Sequence, residues 1–217
     1  MPTEPPDPAA IAMTRLALHG AAELLLAGPQ HRTHGTIRLR IVPGGFATVA
    51  GPEVRVDGRE VVAGDRRAAL AGTTYAAAGA EVGIEAGAPV GVYHEGSGAA
   101  PGEHVDADPA VAGYLADCFA TGDAALRRLA PELTPVLWPE HFDVGVTVDE
   151  VNYGVSLGDS AVPEPYAYVG PWQPRAGEFW NVPFGAARLL RELGDTDGVA
   201  AFFAQGREYA ARDPLAS

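Results

Sequence analysis

Hydrophobic and polar positions along this chain follow two spacings, one typical of helices and one typical of strands. Apolar residues three or four apart predict helices, which we expect over about 8–27, 66–79, 108–129 and 197–212. Strict alternation of apolar and polar residues predicts strands over 37–41 and 46–50 and a hairpin over 54–61. Asp57-Gly58 is a favoured turn for that hairpin.

Turn and cap residues define the ends of two helices. Gly28-Pro29 is predicted to end the first helix, and Asp108 before Pro109 is predicted to begin the third. The connections between strands are short, which favours antiparallel pairing. The predicted fold class is therefore α+β, with antiparallel β-sheet packed against three or four helices.

The order of elements also suggests a domain organisation. We predict a disordered tail over residues 1–8 and a single α+β domain over 9–217. Within that domain, 9–86 and 107–217 are candidate halves with a similar helix–strands–helix order. The Gly/Pro-rich segment 87–106 would join them, and a loop of that length is usually functional or mobile.

The clearest strand pattern covers residues 141–158. A turn at Asp149-Glu150 places Val148 opposite Val151 and gives the hairpin one apolar and one polar face. Asp-Glu is not a preferred two-residue turn, so a four-residue loop is the alternative. The polar face would pair Thr147 with Asn152, Gly145 with Gly154, Asp143 with Ser156 and His141 with Gly158.

Two facing glycines lie at the centre of this polar face. Glycine within a strand often marks the close approach of a ligand or of another backbone. We therefore predict a small polar pocket here, and an ordinary solvated or helix-covered face is the alternative. The predicted ligand-binding residues on the face and on the segment that follows it are Thr147, Asn152, Ser156, Glu164, Tyr166 and Trp172.

Candidate chemistry is concentrated in the same region. His141, Asp143 and Glu140 could form an acid–base group, because a carboxylate beside a histidine orients the ring and raises its pKa. The alternative is a histidine–aspartate bond with a purely structural role. No metal site is predicted, and His94, His104 and His141 are only weak candidates for ligands. No cofactor is indicated.

Four-residue spacing also places Arg15, His19 and Glu23 on one side of the first helix. Such a series is most simply a solvated stripe of ion pairs.

Composition narrows the function classes. All 15 basic residues are arginine, which excludes a Schiff-base or P-loop lysine and is typical of a GC-rich, actinobacterial genome. The net charge of −13 argues against nucleic-acid and anionic-membrane partners. The single cysteine, Cys118, cannot form an internal disulfide. No apolar run reaches the length of a membrane span, so we expect a cytoplasmic protein.

One segment resembles a known group of proteins. The stretch Trp138-Pro139-Glu140-His141-Phe142-Asp143 is similar to the Trp-Pro-x-His-Phe-Asp segment of an actinobacterial family of unknown function. The similarity continues through 148–156 and 163–172 and is clearest over residues 135–185. The resemblance implies no established activity, but it indicates this segment as the place to look for a site.

Three functional hypotheses remain open at this point. The leading one is a cytoplasmic small-molecule-binding protein with its pocket on the polar face of the 141–158 hairpin. The second is a metal-dependent or acid–base enzyme that uses His141 and Asp143. The third is a non-catalytic interaction module with the aromatic turn at Trp172 as its contact surface. The sequence leaves open whether the chain forms a homo-oligomer.

Overall fold

A computed structural model describes residues 6–216, which form two compact units. The amino-terminal unit comprises the described part of Pro2–Asp117 together with Val136–Phe142. The carboxy-terminal unit comprises Cys118–Pro135 and the described part of Asp143–Ser217. The tail predicted over 1–8 lies mostly outside the described residues, and the Gly/Pro-rich segment 87–106 lies within the amino-terminal unit.

The amino-terminal unit combines a long helix with an antiparallel sheet. The sheet has the strand order β6-β1-β2-β3-β4-β5. Its elements are α1 (Pro8–Ala21), a π-helical segment (Ala22–Ala27), α2 (Gly28–His34), β1 (Leu39–Val42), β2 (Gly45–Thr48), β3 (Val54–Val56), β4 (Glu60–Ala63), β5 (Arg66–Ala69), α3 (Tyr75–Val82) and, after a long helix, β6 (Val136–Trp138). The π-helical segment is buried and packs on β2, β3 and α3.

The carboxy-terminal unit contains an antiparallel sheet of order β10-β9-β8-β7. Its elements are β7 (Asp143–Val148), β8 (Val151–Ser156), β9 (Tyr166–Pro171), β10 (Ala186–Leu189), α5 (Leu190–Leu193) and α6 (Thr196–Arg212). The long helix α4 (Pro109–Leu129) begins in the first unit and ends in this one. Antiparallel strands with helices confirm the predicted α+β class.

Two helices, α4 and α6, cover the apolar face of this second sheet, and each has a glycine where it meets the sheet. A Cβ added at Gly122 of α4 would lie 2.7 Å from the side chain of Val155, and one added at Gly206 of α6 would lie 2.6 Å from Val169. Glycine thus lets each helix approach the sheet closely. Most of the apolar set predicted for β7 and β8 is consequently buried, with Val144 and Val155 fully inaccessible, whereas Val148 beside the turn is half-buried.

The predicted end of the first helix at Gly28-Pro29 is wrong, because the helix continues to His34. In a π-helical turn the N–H of residue i+5 bonds the carbonyl of residue i, and Gly28 donates in this way to Glu23. Pro29 has no N–H to give to Leu24, and the backbone N–H of Gly87 donates to that carbonyl instead at 2.9 Å. The segment that follows α3 therefore replaces the bond that proline removes.

The predicted helix over 66–79 is also wrong in its first half. Arg66–Ala69 is a strand paired with β4, and the helix begins only at Tyr75 with Thr74 as its cap. Alanine favours helices locally, but sheet pairing overrides that preference here. By contrast, Asp108 caps α4 through its Oδ1, which accepts from the N–H groups of Ala110 and Val111.

One helical stretch of the described chain, Pro8–His34, is long and apolar enough to cross a membrane by length and composition alone. In the structure, 61% of its most apolar 18-residue stretch is buried inside the protein. A buried core helix of a globular domain has the same properties.

Candidate functional site

From Asp143 to Ser156 the hairpin has the register that its hydrophobic pattern predicts. The predicted pair of His141 with Gly158 is wrong, because β7 begins only at Asp143, after Phe142, whose φ of 51° interrupts the extended backbone. Asp143 pairs with Ser156, Gly145 with Gly154 and Thr147 with Asn152, as expected. The turn has two central residues, Asp149 and Glu150, with φ of 52° and 61°. Both lie in the left-handed region, as a type I′ hairpin turn requires, although neither is a glycine.

The glycine floor of the polar face is occupied by a tyrosine of the neighbouring strand. Tyr168 on β9 pairs with Gly154, and a Cβ added at Gly154 would lie 2.4 Å from the Tyr168 hydroxyl oxygen. A Cβ at Gly145 would lie 3.2 Å from the same atom. The two glycines therefore make room for a phenol ring of the chain itself.

Hydrogen bonds hold this tyrosine in place. The Tyr168 hydroxyl donates to Oδ2 of the buried Asp143. Burial and the nearby carboxylate raise the pKa of Tyr168 well above its usual value. Tyr166 donates to Asp159 at 2.6 Å, and burial together with this bond raises the pKa of Tyr166. Both phenols are therefore protonated at neutral pH and act as donors that fix the aromatic side chains.

Beyond Tyr168, the same face of the sheet opens into a hollow of about 490 Å³, which we call the aromatic hollow. Its aromatic walls are Tyr168, Trp172, Trp180 and Phe184. Asn152 and Gly170 form part of its floor, and Arg175 is the only charged residue among the described residues that line it. A volume of several hundred Å³ with mostly apolar walls and a few polar groups is typical of small-molecule sites.

The walls of the aromatic hollow are anchored by the chain on both sides. Trp180 donates through Nε1 to Oδ2 of Asp213 at 3.0 Å. Ala176 donates to the carbonyl of Pro214, and Ala216 donates to the carbonyl of Pro174. The segment between β9 and β10 is thus paired with the carboxy-terminal end of the described chain. Such anchoring orders the hollow before any ligand arrives.

Three of the predicted ligand-binding residues come together at this hollow. The amide oxygen of Asn152 accepts from the Thr147 hydroxyl at 2.8 Å and from Trp172 Nε1 at 3.3 Å. With this orientation, the NH₂ group of Asn152 has no partner among residues 6–216. Asn152 and Trp172 line the hollow, whereas Thr147 holds the Asn152 amide from one side.

The other predicted site residues lie apart from the aromatic hollow. Ser156 and Tyr166 belong to the buried tyrosine–carboxylate network. Glu164 forms a 2.8 Å ion pair with Arg191. His141 is exposed and is not among the residues that line the aromatic hollow.

Glu140 is half-buried, and its Oε2 atom is buried with no hydrogen-bond partner in the described part of the chain. His94 and His104 are exposed. Over residues 6–216, no group of three or more His, Cys, Asp or Glu side chains is arranged to hold a metal ion.

Sequence reasoning missed a second polar cluster, in the amino-terminal unit. The stripe of Arg15, His19 and Glu23 was expected to be solvated, but Glu23 is only 4% exposed. Its carboxylate accepts from the Tyr93 hydroxyl at 2.7 Å, from the Ser97 N–H at 2.8 Å and from the Ser97 hydroxyl. We call Glu23, Tyr93 and Ser97 the Glu23 clamp, because they fasten the Gly/Pro-rich segment to the π-helical segment.

The expectation of a solvated stripe is therefore wrong at Glu23. The leucines that follow it, in Glu23-Leu24-Leu25-Leu26, are all buried, and the widened π-helical turn takes the glutamate into the interior with them. The signal in the sequence for the burial of Glu23 was its position directly before three leucines.

His19 lies one turn before the Glu23 clamp. Its Nε2 is 2.6 Å from the carbonyl oxygen of Pro139, and its ring stacks on Phe142 with centroids 5.2 Å apart. Burial lowers the pKa of His19, although Glu23 and the Pro139 carbonyl act in the opposite direction. The ring is therefore neutral at pH 7, and a bond from Nε2–H to the carbonyl defines its tautomer.

Comparison with known proteins gives no match among family models, curated proteins or solved structures. Any functional conclusion therefore depends on the geometry of the chain itself.

Proposed function

We propose that this protein binds a small molecule in the aromatic hollow of the carboxy-terminal unit. One observation carries the proposal: four aromatic residues line a hollow of about 490 Å³, with a single charged residue among its described lining. Aromatic walls favour a flat, largely apolar ligand, because rings stack on one another and release water from both surfaces.

The exposure of the aromatic residues supports this function. Trp172 is 62% exposed and Phe184 is 41% exposed, although both belong to a folded segment. When a ligand covers a large apolar side chain that is otherwise held in water, the free energy of the complex is lowered. The donor groups of Asn152 and Arg175 would then orient the bound molecule at the floor and the rim.

The enzyme hypothesis based on His141 and Asp143 has weaker support. Asp143 is buried and accepts from Tyr168, which is an arrangement that orders the sheet face. His141 is exposed and does not line the aromatic hollow. The interaction hypothesis shares Trp172 with our proposal, but a concave hollow fits a small ligand better than a flat protein surface.

We further propose that the protein acts in the cytoplasm on a soluble ligand and not on nucleic acid or membrane. The net charge of −13 would weaken binding to phosphate backbones and to anionic lipid surfaces.

A thermal-shift screen of flat aromatic compounds tests the proposal. A ligand at one hundred times its Kd would stabilise the folded chain by about 2.7 kcal/mol, which raises Tm measurably. Trp172→Ala should abolish or strongly reduce the shift, since it removes one wall of the hollow. Trp138→Phe is the matched control, because Trp138 belongs to the amino-terminal unit and should leave the shift unchanged.

Two results would contradict the proposal. One is a screen in which no compound raises Tm. The other is a set of compounds that raise Tm equally in the native chain and in Trp172→Ala.

A further inference from the structure

We propose that the ligand of the aromatic hollow is an aromatic carboxylate and that Arg175 binds its anionic group. This inference rests on the proposed function, since it names the class of molecule for the same site. It depends on the charge of the lining and on the hydrogen bonds of one guanidinium.

The lining of the hollow has the opposite charge to the chain as a whole. The protein carries 28 acidic residues, yet within residues 6–216 no aspartate or glutamate is among those that line the hollow, whereas Arg175 is. At physiological salt the Debye length is about 8 Å, so distant acidic side chains are largely screened. Asp213, which accepts from the wall residue Trp180, is itself paired with Arg212 at 3.2 Å, so Arg175 is the charged group of the described lining that a ligand meets, which favours an anion.

The guanidinium of Arg175 has one edge in use and one edge without partners. Its Nη1 donates to the backbone carbonyl of Asp213 at 3.3 Å. Its Nε is buried and has no partner within the described residues, and no carboxylate there lies at ion-pair distance. A carboxylate that binds side-on to the Nε–Nη2 edge makes two parallel hydrogen bonds. Such a ligand would supply the acceptor that the folded chain lacks.

Arg175 also lines a second hollow of about 250 Å³, but that one suits an anion poorly. Asp149 and Glu150 line it as well, and Arg207 there already pairs with Asp149 at 3.1 Å. Two carboxylates in the lining would repel a third. The aromatic hollow is therefore the side on which no acidic residue belongs to the described lining.

The body of the ligand follows from the remaining walls. Trp180 and Trp172 already use their indole N–H groups, on Asp213 and Asn152 respectively. Their rings can therefore offer only apolar faces and edges to a bound molecule. The NH₂ group of Asn152 remains as a second donor, suited to a carboxylate oxygen or a ring carbonyl. A flat aromatic body with one carboxylate matches these groups.

Calorimetric titration with three probes of the same shape tests the class of ligand. The probes are 2-naphthoate, 2-naphthamide and 2-naphthamidine, which carry a negative charge, no charge and a positive charge at pH 7.5. We expect the native chain to bind 2-naphthoate about tenfold or more tightly than 2-naphthamide, as two charge-assisted hydrogen bonds imply. The cationic probe should bind most weakly.

Two variants assign the effect to one residue. Arg175→Gln should reduce the preference for 2-naphthoate to a factor near one, while 2-naphthamide binds as before. Arg127→Gln is the matched control, because Arg127 is an exposed arginine of the same unit that pairs with Asp123 on α4. It should retain the full preference.

The outcomes separate this inference from the proposed function. Equal binding of the three probes, or tightest binding of the cation, overturns the carboxylate and leaves small-molecule binding intact. A preference for 2-naphthoate that survives in Arg175→Gln overturns the assignment to Arg175. No binding of any probe overturns both proposals. The comparison of probes on the native chain needs no variant, so it decides the question even if Arg175→Gln fails to fold.

Discussion

The aromatic hollow and the Glu23 clamp both place polar groups among apolar residues, but only the clamp satisfies them. Glu23 accepts three hydrogen bonds, two from side-chain hydroxyls and one from a backbone N–H. In the hollow, the buried Nε of Arg175 has no partner in the described part of the chain. A buried polar group with all its bonds made stabilises a fold, whereas one with bonds left over is poised for a ligand.

The largest effect should come from breaking the Glu23 clamp. Glu23→Ala removes the acceptor for Tyr93 and Ser97 and leaves buried donors unpaired. We expect the free energy of unfolding to fall by about 3 kcal/mol, measured by urea denaturation. Hydrogen exchange at the Ser97 N–H should also accelerate.

Glu81→Ala provides the matched control for the clamp. Glu81 is an exposed glutamate on α3 in the same unit, so its loss should change stability by less than about 0.5 kcal/mol. If the two substitutions changed the free energy of unfolding equally, the hydrogen bonds of Glu23 would contribute no more stability than an exposed glutamate does.

A smaller effect should come from filling the glycine floor under the aromatic hollow. Gly154→Ala places a Cβ 2.4 Å from the Tyr168 hydroxyl oxygen, so the phenol must move away from Asp143. We expect a loss of about 2 kcal/mol in the free energy of unfolding. Binding at the hollow should weaken as well, because Tyr168 is one of its walls.

Gly113→Ala is the control for the glycine substitution. Gly113 lies in α4 with nothing within 4 Å of the added Cβ, so alanine should raise stability by up to about 1 kcal/mol. A Gly154→Ala variant that is as stable as the native chain would contradict the placement of Tyr168 over the glycines.

The smallest expected effect is a pH dependence from His19. Burial lowers the pKa of His19 below its usual value of 6.5, so between the two values the unfolded chain binds more protons than the folded chain. Stability from the neutral ring is present above pH 6.5 and is lost as pH falls through the lowered pKa. Urea unfolding from pH 7.5 to pH 5 should show this decline.

Two histidine substitutions sharpen the pH measurement. His19→Gln should flatten the decline, whereas His94→Gln, at an exposed histidine of the same unit, should leave it in place. A decline of the same slope in both variants would assign it to other groups.

Local pattern predicted the carboxy-terminal hairpin almost completely. The alternation over β7 and β8 gave the pairs Val148–Val151 and Gly145–Gly154, because a strand repeats every two residues and a slip of one would expose its whole apolar face. The start of α4 at Asp108 was equally local and is confirmed. The chain also turns at Asp57-Gly58, but Val56 pairs with Val61, so four residues lie between the paired positions and not the two of the favoured turn. Each of these features depends on residues within a few positions of one another.

Only the tertiary structure decided what covers the polar groups. Periodicity placed Glu23 on the polar side of a helix, but the π-helical turn and a segment 70 residues later enclosed it. It also placed two glycines in the strands, but Tyr168 on another strand filled the space above them. The lining of the aromatic hollow likewise combines Asn152 of β8 with Arg175 and Trp180, which belong to the segment between β9 and β10. Sequence spacing specifies which way a side chain points, whereas its neighbours depend on how distant segments pack.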